Sequence, residues 1–131
     1  MLSGARRRCT TSLSPDPTPL RGEIWLVNFD PTIGAEIRKT RPAVVISSNS
    51  LSGLPLKLVA PLTEWKDHFS GSLWHIRVMP SRTNGLLKAS AIDALQLRCV
   101  DIRRFMHRTG VLPASTMTDV CLAVAAVIEH P

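Results

Sequence analysis

The chain has no tyrosine, and three tryptophans with three phenylalanines bring its aromatic content to only 5% of 131 residues. That scarcity argues against a broad platform on which single-stranded nucleic acid stacks base after base. Cysteine is scarce too. Cys9, Cys99 and Cys121 are an odd number at wide spacings, with no C-x-x-C pair and no histidine at ligand distance. A disulfide framework or a zinc site is therefore not expected, and a reducing, cytoplasmic setting is the simplest. Cys99 and Cys121 fall in apolar patterns and read as small core residues rather than nucleophiles. No apolar run of signal-peptide length opens the chain, and no repeat or low-complexity tract interrupts the part that folds.

What is present is basic charge. The formal net charge is +6, and residues 21–131 alone hold thirteen basic against nine acidic residues. A polyanionic partner is favoured, although a small domain also gains solubility this way. Residues 1–20 combine Arg6, Arg7 and Arg8 with alternating Pro15, Pro17 and Pro19, and read as a disordered basic, proline-rich extension. Residues 21–131 make one domain.

Short strands dominate that domain. Glu23–Phe29 is apolar on both sides and so deeply buried, and Ala43–Ser47 forms a second buried strand. A third strand, Leu56–Ala60, is expected to stop at Pro61 and leave Thr63 at its end. Leu73–Met79, a return strand near Ala89–Ala94 and a strand at Leu95–Val100 follow. Asp101–Phe105 reads as a helical turn and Val111-Leu112 as one further short strand. Ser115 is a good N-cap for a helix from about Thr116 to Glu129, with Met117, Val120, Cys121, Val124, Val127 and Ile128 on one face. Roughly fourteen residues are too few to cross a bilayer. The expected architecture is a small, strongly bent antiparallel sheet or barrel with one late helix.

The chemistry is expected in the loop Gly34–Pro42. A proline directly after Arg41 biases it to an extended backbone at a strand mouth, where its planar guanidinium suits phosphate oxygens. Arg38, Lys39 and Thr40 lie beside it, and Glu36, five residues earlier, is placed to order it. Thr63 either caps a strand end or orients a hydroxyl. Gln96 and Arg98 alternate to one side of their expected strand, a pair suited to base-edge and phosphate contacts or simply a polar outer face. No histidine stands out as an acid or base: His107 and His130 lie in peripheral segments, His68 in a loop, and His75 in the fourth strand.

The run Arg21-Gly22-Glu23-Ile24-Trp25, then Asp30-Pro31 with Gly34 and Glu36, then Thr40-Arg41-Pro42-Ala43-Val44-Val45-Ile46 resembles the opening of the MazF/PemK family of bacterial toxins. Pro61-Leu62-Thr63 and Gln96-Leu97-Arg98 follow in the same order, and the likeness spans roughly residues 21–129. The resemblance implies an SH3-like barrel working as a homodimer. It also implies a toxin of a type II toxin–antitoxin system, an endoribonuclease (mRNA interferase) that cuts single-stranded RNA without metal or cofactor. Arg41 and Thr63 would be the catalytic pair, and Glu36, Arg38, Lys39, Thr40, Gln96 and Arg98 would bind RNA. A cognate antitoxin with an acidic disordered segment would occupy the same groove. Some relatives place a catalytic Arg and Asp just ahead of this glutamine, where this chain has Asp93 and Leu95. Two other readings stay open: a CcdB-like toxin that binds DNA gyrase through its helix, and a barrel that only binds RNA or autoregulates.

Overall fold

A computed structural model describes residues 18–131. Most of the expected basic extension, with Cys9 and the arginine triplet, lies outside the described residues. Seven antiparallel strands precede one helix: β1 (Glu23–Asn28), β2 (Thr40–Val45), β3 (Leu56–Glu64), β4 (His75–Val78), β5 (Ser90–Asp93), β6 (Arg98–Asp101), β7 (Phe105–Val111) and α1 (Ala114–Val127). The sheet order is β4-β5-β3-β2-β1-β7, with β6 also paired to β3. The expected mainly β fold with a C-terminal helix is found.

β3 organises the sheet because it has three partners along its nine residues. Leu56–Val59 pair with β6, Val59–Pro61 with β2, and Leu62–Glu64 with β5. Its register to β5 (Leu62 with Ile92) and to β6 (Val59 with Arg98) differs by three residues. The surplus is the 3-10 turn Ala94–Gln96, thrown out of the ladder between β5 and β6. Gln96 therefore does not sit in a strand with Arg98, as the sequence pattern suggested. The same excursion explains why β3 continues past Pro61. The Ile46 amide donates to the Leu58 carbonyl at 2.8 Å, so even-numbered residues of β3 turn their backbone groups to β2. The nitrogen of Pro61 faces the other neighbour, where that neighbour leaves, and its missing N–H breaks no ladder bond.

Apolar residues bury on both sheet faces. Ile24, Val44, Ala60, Leu62, Val78 and Ile92 pack with Leu112, Met117 and Val120 beneath the helix. Val27, Phe29, Ala43, Val45, Val59, Val100 and Phe105 form the second cluster. The helix begins two residues earlier than expected: Pro113 is its N-cap and makes no side-chain cap bond, so Ser115 lies inside the first turn. Its buried stripe is Met117, Val120 and Ala123, which leaves Cys121 and Ile128 exposed. Cys99 is exposed as well, because Val100 takes the inward position of β6. Neither cysteine is the core residue its apolar surroundings suggested. β7 is longer than the expected two residues, and among the described residues its polar MHRTG stretch pairs only with β1, at the edge of the sheet. No described helix is long and apolar enough to cross a membrane.

Candidate functional site

The loop from Phe29 to Lys39 is tied at both ends. The Phe29 amide donates to the Lys39 carbonyl (2.9 Å), and the Lys39 amide donates to Asp30 Oδ1 (2.9 Å). Lys39 takes a left-handed φ of 70° to close this hairpin. Within the loop, Glu36 Oε1 accepts from the Ile33 amide (2.8 Å) around Gly34 at φ 60°. Glu36 thus orders its own turn and not Arg41. Arg41 is held instead by a bond from its Nε to the Arg38 carbonyl (3.0 Å), and it lies inside β2 opposite Val27. That bond uses Nε, and among the described residues neither terminal guanidinium nitrogen makes a hydrogen bond.

Arg41 and Thr63 are brought to neighbouring strands. β2 and β3 pair with Ala43 across from Pro61. Two more residues in that register set Arg41 across from Thr63, where the strands diverge and Thr63 pairs with Ala91 of β5. Strand alternation puts both on the face of Ala43 and Pro61. On that face Pro61 lines a cleft of about 490 Å³ together with Phe29, Glu36, Ile37, Gln96 and Arg98, while Arg41 and Thr63 themselves lie beside it and are not among its lining residues. Thr63 is half-buried, and its hydroxyl makes only a long 3.4 Å contact to the Glu64 carbonyl. It remains free to reorient toward a ligand.

Of the residues expected to bind RNA, Glu36, Gln96 and Arg98 line this cleft together. Arg98 extends over the Phe29 ring, 5.5 Å from its centroid, and donates to the Phe29 carbonyl at 3.4 Å. Gln96 is half-buried on the excursion turn, and its Oε1 accepts from the Ile37 amide at 2.6 Å. Its carbonyl is therefore engaged by the loop, and only its amide NH₂ is available to a base. Arg38, Lys39 and Thr40 are exposed on the hairpin beside the cleft and are not among the residues that line it.

A second polar group stands behind the cleft. Asp93 ends β5, and its Oδ1 accepts from the amides of Leu95 (3.1 Å) and Gln96 (3.3 Å). Its Oδ2 lies 3.7 Å from His75 Nε2, and His75 Nδ1 is 2.8 Å from the Ser72 hydroxyl. Phe69 stacks on the imidazole with centroids 3.8 Å apart. Burial pushes the His75 pKa below its usual value, His68 adding to the shift and Asp93 opposing it. Asp93 and His75 carried no expected function here, yet the D-x-x-Q spacing of Asp93 and Gln96 is a turn-capping signal that was there to be read. Arg77 was missed as well. It pairs with Ala91, lies in the same cross-strand row as Thr63, and sits over the Trp65 ring at 4.9 Å.

Among the described residues no three His, Cys, Asp or Glu side chains gather as a metal cluster.

Residues 20–128 match the family described as PemK-like, MazF-like toxin of type II toxin-antitoxin system. The chain is 29% identical over 112 residues to the endoribonuclease toxin ChpB of Escherichia coli K12, covering 83% of this chain and 93% of ChpB. It is 32% identical over 109 residues to the endoribonuclease PemK of E. coli, covering 76% and 74%. Its fold matches the crystal structure of MazF from Deinococcus radiodurans with a TM-score of 0.73 at 24% identity, over 87% of this chain and 99% of that one. A mycobacterial endoribonuclease in complex with its cognate antitoxin matches at 0.68 and 16% identity, over 86% and 97%. With the matched segment spanning every strand and the helix, the chain belongs to the PemK/MazF family of type II toxin–antitoxin toxins.

Proposed function

We propose that this toxin is an endoribonuclease that cuts single-stranded RNA by internal attack of a 2′-hydroxyl on the adjacent phosphorus. The products are a 2′,3′-cyclic phosphate and a 5′-hydroxyl. The observation that carries this reading is the β2–β3 register, which extended two residues beyond Ala43 and Pro61 sets Arg41 across from Thr63, beside the cleft that Pro61, Glu36, Gln96 and Arg98 line. In-line attack needs charge stabilisation on the non-bridging oxygens, and a guanidinium fixed through its Nε presents its remaining donors for that task. The Thr63 hydroxyl orients the attacking group or bonds a phosphate oxygen. Glu36, at the rim, is the carboxylate available to modulate proton movement. Arg98 and the Gln96 amide contact the strand within the cleft, while Arg38, Lys39 and Thr40 draw its backbone along the hairpin. Positioning dominates such a reaction, and no metal or cofactor is assigned a step.

Support comes from the relatives named as endoribonucleases and from solved MazE–MazF assemblies of D. radiodurans. By that likeness the protein acts as a homodimer in the cytoplasm, and an antitoxin with an acidic disordered segment neutralises it by competing for the basic cleft. The test is incubation of purified protein with a long single-stranded RNA in EDTA, mapping the 5′ ends, beside an Arg41→Ala control. Cuts at one recurring short sequence that vanish in the control are expected. Intact RNA from a folded protein would overturn the nuclease reading in favour of a toxin that acts by binding.

A further inference from the structure

A capping box at a helical turn uses two side chains. The first caps the turn, and the Glu or Gln three residues on reaches back to the first residue's own amide. Here only half of that device is local. Asp93 caps the turn, accepting from Leu95 and Gln96, but Gln96 reaches outward and binds the Ile37 amide, fifty-nine residues away in sequence. We propose that Asp93 is a positioning residue: by fixing the Ala94–Gln96 turn it makes Gln96 a strut that sets the β1–β2 loop, and so Glu36 and Arg38, at the cleft.

The placement of Asp93 suits this role. Its side chain is only 11% exposed, so a capping bond there is not traded against water. Its second oxygen faces His75 Nε2. The other imidazole nitrogen, Nδ1, meets the Ser72 hydroxyl, so both ring nitrogens of His75 face a polar partner. The Ser72 oxygen also accepts from the Trp74 amide at 3.3 Å, and the Trp74 carbonyl accepts from the Ala94 amide at 2.8 Å. The turn is thus gripped from two sides by the segment that carries His75. At the other end of the strut, Ile37 is partly buried against the second apolar cluster, so the loop is anchored by one polar bond and one apolar contact. Arg41 bonds the carbonyl of Arg38, the residue after Ile37, which extends the chain of contacts to the reacting face.

The role in RNA handling rests on the nuclease reading, but the strut does not, so the test has two arms. Amide hydrogen exchange of Ile37, Leu95 and Gln96 in the wild-type protein is expected to agree within about threefold, as one cooperative unit. Asp93→Ala should speed all three by about tenfold or more while core amides such as Val44 and Ala60 keep their rates. Asp93→Asn retains a capping oxygen and should leave Ile37 within about threefold of wild type. Ile37 exchanging tenfold faster than the turn amides in the wild type overturns the strut, and this holds even if Asp93→Ala does not fold. So does acceleration of Leu95 and Gln96 in Asp93→Ala with Ile37 unchanged. In RNA cleavage, Asp93→Ala should raise KM about tenfold with kcat within threefold, and Asp93→Asn should restore it. A fall in kcat at unchanged KM contradicts the assignment to loop positioning. If the wild-type protein cuts no RNA, the nuclease reading fails alone and the exchange arm still decides the strut.

Discussion

Arg41 and Asp93 lie on the same sheet face two strands apart, yet one is held by a single backbone carbonyl at an open cleft and the other is buried among its partners. The difference separates two duties. Arg41 can meet phosphate because its terminal nitrogens are left uncommitted, whereas Asp93 spends both oxygens inside the protein and meets nothing outside it. Breaking each cluster should show the opposite profile. Arg41→Ala should lower kcat by about a hundredfold to a thousandfold, the cost of removing one preorganised oxyanion donor, with a melting temperature close to wild type. Single-turnover cleavage and thermal unfolding of one preparation measure both. Arg41→Lys should recover little, since a point charge lacks the guanidinium fork.

Thr63 sharpens the same contrast on a smaller scale. Its hydroxyl has only a long contact in the free protein, so Thr63→Ala costs no strong internal bond. A bond to charged phosphate oxygen contributes about 1.5–3 kcal/mol, and cleavage should therefore slow by about tenfold to a hundredfold. Thr63→Ser keeps the hydroxyl and should stay within severalfold of wild type. Equal losses in both variants would mean that the methyl group's packing matters and the hydroxyl does not. Asp93→Ala, by contrast, is expected to act through exchange rates and KM as argued above, its effect on kcat being the smallest of the three.

How much of this could be read from residues alone depends on whether the signal was local. β1 sends Ile24 into one apolar cluster and Val27 into the other, as its two-sided pattern implied, although its remaining residues are only partly buried or exposed, and Ser90–Asp93 returns where the turn before it implied. Arg41 and Thr63 were legible because Pro42 and the family pattern mark them, and each lies one residue from the end of its strand, Arg41 second in β2 and Thr63 next to last in β3, although β3 runs on past Pro61 to reach Thr63. The misses are long-range. Pro61 reads as a strand end unless one knows that the neighbouring strand bulges away from it. Gln96 reads as a strand residue unless the three-residue register shift is known. β7 has too polar a sequence to announce itself, because an edge strand needs burial on fewer sides. His75 looked inert because its meaning depends on Asp93, eighteen residues on, and on the Phe69 ring stacked against it.

The buried cluster also has a pH signature. Burial lowers the His75 pKa from an ordinary value of 6.5, so below that pH the unfolded chain takes up a proton that the folded chain resists. Stability contributed by neutral His75 is complete above about pH 6.5 and is lost as pH falls toward the lower folded value. The urea midpoint should fall between pH 7 and pH 5.5, and less so in His75→Gln. A His75→Gln protein with the same pH slope as wild type would assign the effect to other groups.

Lys57 tests the rule behind the comparison, that a buried charge persists only where partners hold it. It lies in β3 across from Val100, on the face of Val59, and is only 4% exposed. Burial lowers its pKa, so keeping the ammonium charged costs free energy in the folded state. Asp93 is buried to a similar degree but has two amides and an imidazole to answer it. Lys57→Met keeps the length and apolar stem while removing the charge, and should stabilise the protein by up to about 1 kcal/mol in urea unfolding at neutral pH. Destabilisation by more than that would mean that the Lys57 ammonium, like the Asp93 carboxylate, is held by specific polar contacts that methionine cannot make.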